Sequence, residues 1–119
     1  MTRKDKDILF VDLSARLPYG VMVAIKSTNH DEWGDWVGEL TCRDLDCFIN
    51  DKIMYDYIKP YLRPMSSMTE EENKKLDEIW LKHTITEGAD YLNSIHVDYR
   101  GLIEKGLAIK VTKENNPYV

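Results

Sequence analysis

A chain of 119 residues suits one compact domain and buries about two-thirds of its unfolded surface, enough for a core without disulfides or metals. Its 43% apolar and 31% charged residues exclude a disordered or fibrous chain. A net charge of −5 and a pI of about 5.2 argue against a long nucleic-acid footprint, and no apolar run approaches the ~18 residues of a membrane helix.

The opening Met1-Thr2-Arg3-Lys4-Asp5-Lys6-Asp7 is charged but has no apolar region behind it, so a cytoplasmic location is expected. Residues 4–17 predict a helix. Ile8, Leu9, Val11 and Ala15, with Leu13, make a broad apolar side; Lys4, Asp5, Asp7, Asp12 and Arg16 supply the polar remainder. Pro18 ends the helix, because the residue before a proline is pushed out of the helical region, and Gly20 permits a turn.

Residues 21–25 alternate as a strand, with Val21, Val23 and Ile25 on one face. A polar loop is expected over 27–34 and a second strand over 35–42, where Trp36, Leu40 and Cys42 share a face. Residues 43–46 read as a connection. Residues 47–49 and 53–58 read as short strands joined at Asn50-Asp51. This spacing predicts a strongly curved antiparallel meander, in its tightest form an SH3-like barrel.

The run from Lys59 to Glu72 is the most distinctive stretch, and it holds two of the four prolines. Pro60 and Pro64 fix an exit from the sheet. Thr69, with Glu72 three residues on, is a capping box. Glu70 with Lys74 and Glu71 with Lys75 support the helix behind it, whose inward stripe is Leu76, Ile79, Trp80 and His83. A second helix is expected over 87–95, with Ala89, Leu92 and Ile95 inward. A third is expected over 99–105, capped by Asp98 and stopped by Gly106. Residues 107–111 return as a last strand, and the tail from Glu114 reads as frayed.

Three segments together resemble a known family: Asp12 to Gly20, Ile58 to Glu72 (with Lys59-Pro60-Tyr61-Leu62-Arg63-Pro64), and Asp98 to Ala108 (opening Asp98-Tyr99-Arg100-Gly101). They are similar to small proteins of Bacteroides-type gut bacteria and their phages or mobile elements, a family without an established activity. The resemblance covers about a third of the chain and implies a mobile-element context and an accessory role. It implies no catalytic residues.

The first candidate site is Tyr61, Arg63, Tyr99 and Arg100. Arginine recognises phosphate or carboxylate through its planar fork, and tyrosine offers a stacking face. The alternative is that the arginines pair with acidic neighbours or carbonyls while the tyrosines pack the seam. The second is the loop from His30 to Trp36, where Trp33 is a docking residue or a lid over a buried Trp36. Its acidic groups match no metal-loop spacing. Cys42 and Cys47 would lie opposite each other in a hairpin, yet lack two further ligands for zinc, and read as small apolar residues. His83 falls on an apolar stripe, and neither it nor His96 has a neighbouring nucleophile.

These readings give a single α+β domain over 1–119, β-rich after an N-terminal helix in 1–63 and helix-rich in 64–119. The C-terminal helices would cover the sheet and bury Leu76, Trp80 and Leu92. No cofactor and no metal are expected. The expected function is a non-enzymatic module binding a host protein or partner subunit. The alternative is a binder of a small anionic ligand or nucleic acid, such as a nucleotide-sequestering counter-defence protein.

Overall fold

Helix α1 spans Arg3–Arg16 in a computed structural model that describes residues 2–26, 36–50, 57–82 and 85–119. Trp33, His83, the expected loop over 27–34 and the start of the strand expected at 53 lie outside the described residues. The Thr2 hydroxyl starts α1 by accepting from the Asp5 N–H at 3.1 Å. The buried stripe is Leu9, Asp12, Leu13 and Arg16, the i, i+3, i+4, i+7 spacing of a core-facing helix. The expected apolar side is therefore partly displaced. Val11 is 55% exposed, while Asp12 and Arg16 point inward and are fully buried. Leu17 keeps right-handed helical backbone at φ −51°, ψ −45° although it precedes Pro18, contrary to the expected stop. Pro18 instead lies in a 3-10 turn over Leu17–Tyr19, and Gly20 at φ 70° closes the element.

Strands β1 (Met22–Lys26), β2 (Trp36–Glu39), β3 (Tyr57–Leu62) and β4 (Ile109–Lys110) form one sheet in the order β2-β1-β3-β4. Strand β1 is antiparallel to both β2 and β3, and Ala24 lies between Val37 and Lys59. Strand β4 runs parallel to β3. The sheet is open and mixed, not a closed SH3-like barrel or a purely antiparallel meander. Pro60 is tolerated in a central strand because its pairing with β4 has not yet begun: the β4 register starts at Tyr61.

The meander fails at residues 41–49. The expected strand and hairpin there are replaced by helix α2 (Cys42–Ile49). Thr41 accepts from the Asp44 N–H at 3.2 Å, and the Asp44 carboxylate accepts from the Thr41 N–H at 3.0 Å. This reciprocal cap satisfies two donors that a helix start would otherwise orphan. Leu40 is still buried, but Trp36 is 43% exposed and Cys42 is exposed on the first turn of α2. Cys47 is buried on the same helix, so the two thiols do not face each other across a hairpin.

The main core joins Leu9 and Leu13 of α1, Val23 and Ile25 of β1, Phe48 of α2, Ile58 and Leu62 of β3, and Leu102 and Leu107. Each such side chain contributes about 1.5–3 kcal/mol on burial. Helices α1 and α2, and not the C-terminal helices, supply the helical side of this core.

Helices α3 (Glu70–Lys82) and α4 (Ile85–Ser94) build a second core with Met68, Leu76, Leu92 and Val97. The expected capping box is present: Thr69 accepts from the Glu72 N–H at 3.1 Å, and Glu72 accepts from the Thr69 N–H at 2.9 Å. Trp80 is 51% exposed instead of buried, because its indole lies over Gly88, where no side chain fits. Helix α4 ends with the His96 N–H on the Asn93 carbonyl, the Val97 N–H on the Leu92 carbonyl, and His96 at φ 62°. That is a Schellman ending with histidine where glycine is usual.

The helix expected over 99–105 is reduced to turns. Its punctuation is nevertheless in place. The Asp98 carboxylate accepts from the Leu102 and Ile103 N–H groups, each at 2.9 Å, and Gly106 closes the turn at φ 74°. Gly101 at φ 75° breaks the run before helical geometry can propagate.

Candidate functional site

The four residues of the first candidate site separate into two places. Arg63 turns toward α3 and spends its fork on protein. Its Nη1 and Nη2 donate to the two Glu72 oxygens at 2.9 and 2.6 Å. Its Nε donates to Ser67 Oγ at 3.2 Å, and Nη2 also donates to the Ser67 carbonyl at 3.0 Å. Nη1 further reaches the Ile95 carbonyl at 3.4 Å. The Arg63 hydrogen bonds hold the Glu72 carboxyl at about 2, well below the usual carboxylate range. Arg100 instead reaches back to α1 and donates from Nη1 to Asp12 Oδ1 at 2.6 Å. Tyr61 is 8% exposed. Arg63 and Arg100 therefore do not converge on one pocket. Trp33 lies outside the described residues.

A different set of polar groups does converge, and its centre is α1. Arg16 donates from Nε to Asp12 Oδ2 at 2.9 Å and from Nη2 to the Val97 carbonyl at 2.7 Å. Both side chains of the pair are at 0% exposure. Asp12 thus bridges a buried and a half-buried guanidinium. The Tyr99 ring lies against both cations, 4.5 Å from Arg100 Cζ and 5.4 Å from Arg16 Cζ. His96 stacks on Tyr118, with ring centroids 3.9 Å apart and planes at 11°. The Tyr118 hydroxyl donates to the Tyr61 carbonyl at 2.7 Å and accepts from the Met22 N–H at 3.0 Å. The tail expected to fray is therefore anchored. Among the described residues, Arg16 Nη1, Asn93 Oδ1, His96 Nδ1 and Tyr99 OH are buried polar atoms without a protein partner.

By polarity Asp12 and Arg16 fall on the polar side of α1; their i,i+4 spacing on the same stripe as Leu9 and Leu13 is the signal that could have marked a buried ion pair. Nothing local in the sequence points to Tyr118. Among the described residues, no group of three or more His, Cys, Asp or Glu side chains could hold a metal ion. No helix among them is long and apolar enough to cross a membrane.

Burial lowers the His96 imidazole to about 4, assisted by the positive charges of Arg16 and Arg63. An unfolded histidine titrates near ~6.5, so between these values the unfolded chain binds the extra proton. The contribution is complete above ~6.5 and is lost as pH falls toward the folded value. Glu72 adds its own loss only below ~4.5. We expect a fall of about 1–2 kcal/mol from His96, the full linkage value being reduced because solvent reaches part of the ring. Urea midpoints at about pH 7 and about pH 4.5 check this. His96→Asn, which tolerates positive φ, should lose less stability on acidification than the parent. Equal losses would place the effect on other groups.

A second feature lies on the outer side of α1. A groove of about 580 Å³ runs between α1 and α2, lined by Arg3, Lys6, Phe10, Val11, Phe48 and Ile49 among others. Val11 and Ile49 are 55% and 49% exposed, and Lys6 Nζ sits 5.3 Å from the Phe48 ring centroid. No protein-family model, curated protein or solved structure matches the chain.

Proposed function

We propose that the chain is a non-enzymatic interaction module that docks a protein partner in the α1–α2 groove. The observation that carries this reading is the groove itself: a concave surface in which the exposed aliphatic side chains Val11 and Ile49, with Phe10 and Phe48, stand beside the charged residues Arg3, Lys6 and Asp7. An amphipathic helix with apolar anchors and a polar edge complementary to Arg3, Lys6 and Asp7 fits that chemistry. In the mobile-element setting that the resemblance implies, the partner is a host protein or a companion subunit met in the cytoplasm. Trp33, expected from the sequence as a docking residue, is a candidate to extend the contact. The anionic-ligand alternative draws less support, because the Arg63 fork is filled by Glu72 and Ser67 and Arg100 is paired with Asp12.

Capture from host lysate with three baits tests the reading. The parent and Leu81→Glu, which alters an exposed site on α3 away from the groove, should retain the same partner. Val11→Glu combined with Ile49→Glu should reduce its recovery at least about tenfold, the scale of a lost interface anchor. A double variant that keeps its helical spectrum and retains every partner of the parent would refute docking in the groove. A Trp33→Ala bait reports separately on the loop.

A further inference from the structure

Tyr118 lies in a slot built from three parts of the chain. Strand β3 pairs along one edge with β1 as far as Val23 opposite Pro60. Farther along, residues 96–98 take over: the Arg63 N–H donates to the His96 carbonyl and the Asp98 N–H to the Arg63 carbonyl, both at 2.8 Å. Tyr61 and Arg63 turn their backbone groups to the same side because a strand alternates. Between these pairings the next rung would join Met22 to Tyr61. The Tyr118 hydroxyl occupies it, taking the Met22 N–H at 3.0 Å and giving its own proton to the Tyr61 carbonyl at 2.7 Å. Its ring lies flat on His96 at 3.9 Å.

The slot therefore presents a flat stacking face, one donor and one acceptor. Its occupant must be planar and must give and take a hydrogen bond at a single atom. A phenol satisfies all three demands. A carboxylate cannot donate and would set its charge against the Tyr61 carbonyl. A phenyl ring would stack but leave two backbone groups unpaired. Burial raises the Tyr118 phenol to about 12, so its hydroxyl keeps the proton it donates. Among the described residues, the hydrogen bonds tying 112–119 to the body of the fold run through this hydroxyl. The others in the segment, Thr112 with Asn115 and the Tyr118 N–H to Asn116 Oδ1, are local.

We propose that this slot is a tyrosyl-recognition site, filled in cis by Tyr118 and able to take the phenol side chain of a second polypeptide when Tyr118 is withdrawn. It is separate from the α1–α2 groove and stands whether or not that groove docks a partner.

The test is chemical rescue of Tyr118→Ala. This variant should melt lower than the parent. The probe p-cresol should raise its Tm by roughly 10 °C at a hundredfold excess over Kd, and leave the parent unmoved. Toluene should not reproduce the rise. The pentapeptide Asn-Asn-Pro-Tyr-Val should act as p-cresol does, and its Tyr-to-Phe form should not. No rise with p-cresol, or an equal rise with toluene, overturns a phenol-specific slot. A rise with p-cresol but none with the tyrosyl peptide overturns recognition of a second polypeptide. Should Tyr118→Ala not fold, Tyr118→Phe keeps the ring. Hydrogen exchange at the Met22 amide should then quicken at least about tenfold, and an unchanged rate overturns the bridge.

Discussion

Asp12→Ala is expected to lower the unfolding free energy by about 3–5 kcal/mol, the usual cost of stranding one member of a buried ion pair. That is a large share of the ~5–15 kcal/mol that holds a domain together. Arg16 is wholly buried, and among the described residues its charge is balanced by Asp12, with the Val97 carbonyl and the Tyr99 ring as its other partners. Arg100, about a quarter exposed, can turn to water when Asp12 is removed. Arg16 cannot do so without opening the packing of α1 on the sheet. Replacing both charges, Asp12→Leu with Arg16→Met, should recover much of the loss, since apolar side chains of similar volume need no counter-charge. A residual deficit of about 1–2 kcal/mol should remain from the unpaired Val97 carbonyl. Urea unfolding of the single and double variants measures both numbers. An Asp12→Ala protein within about 1 kcal/mol of the parent would mean that Arg16 is not desolvated as described.

The second large effect is expected at Arg63. Arg63→Ala removes a guanidinium that holds Glu72, Ser67 and the end of α4 together. Hydrogen bonds to charged groups are worth ~1.5–3 kcal/mol each when buried, but here the two side chains are 24% and 20% exposed. Solvent screening brings the expected cost of the whole clasp to about 2 kcal/mol. Arg63→Lys should restore less than half of it, because an ammonium cannot span both carboxylate oxygens and the Ser67 and Ile95 carbonyls. The Glu72 carboxyl, followed by NMR through an acid titration, should rise from about 2 toward its ordinary value in Arg63→Ala. Full recovery of stability by lysine would show that charge alone, without the planar fork, accounts for the clasp.

The parts of the fold that were legible in the sequence are those governed by local chemistry. The Thr69 and Glu72 cap, the Gly20 turn, and the Asp98 and Gly106 punctuation all stand where their residue types place them. Thr41 and Asp44 carry the same kind of signature, but the alternation of 35–42 argues for a strand through them. The structure resolves that conflict in favour of the cap, because reciprocal hydrogen bonds are gained at once whereas a strand needs a partner to pair with. On α1 the period was readable and the facing was not. Polarity assigns Asp12 and Arg16 to water, and only their contact with Val97 and Arg100 brings them inside. The separation of Arg63 from Arg100 likewise depends on where α1 and α3 come to rest. The His96 turn carries no glycine to announce it, so its positive φ is invisible in the residue type.

The buried pair on α1 also bears on the order in which the chain can assemble as it is made. Val97 and Arg100 follow their partners by 81 and 88 residues, and Tyr118 follows Met22 by 96. A nascent chain that has passed the Pro64 seam holds α1, β1 and β3, yet lacks every group outside α1 that makes Arg16 tolerable indoors. Until the late segment emerges, seating that stripe on the sheet would bury the Arg16 guanidinium without the Val97 carbonyl and Asp12 without Arg100, a desolvation cost that opposes early docking of α1. The polypeptide is thereby biased against settling early, and its two compositional halves cannot be parted at the prolines that mark their border.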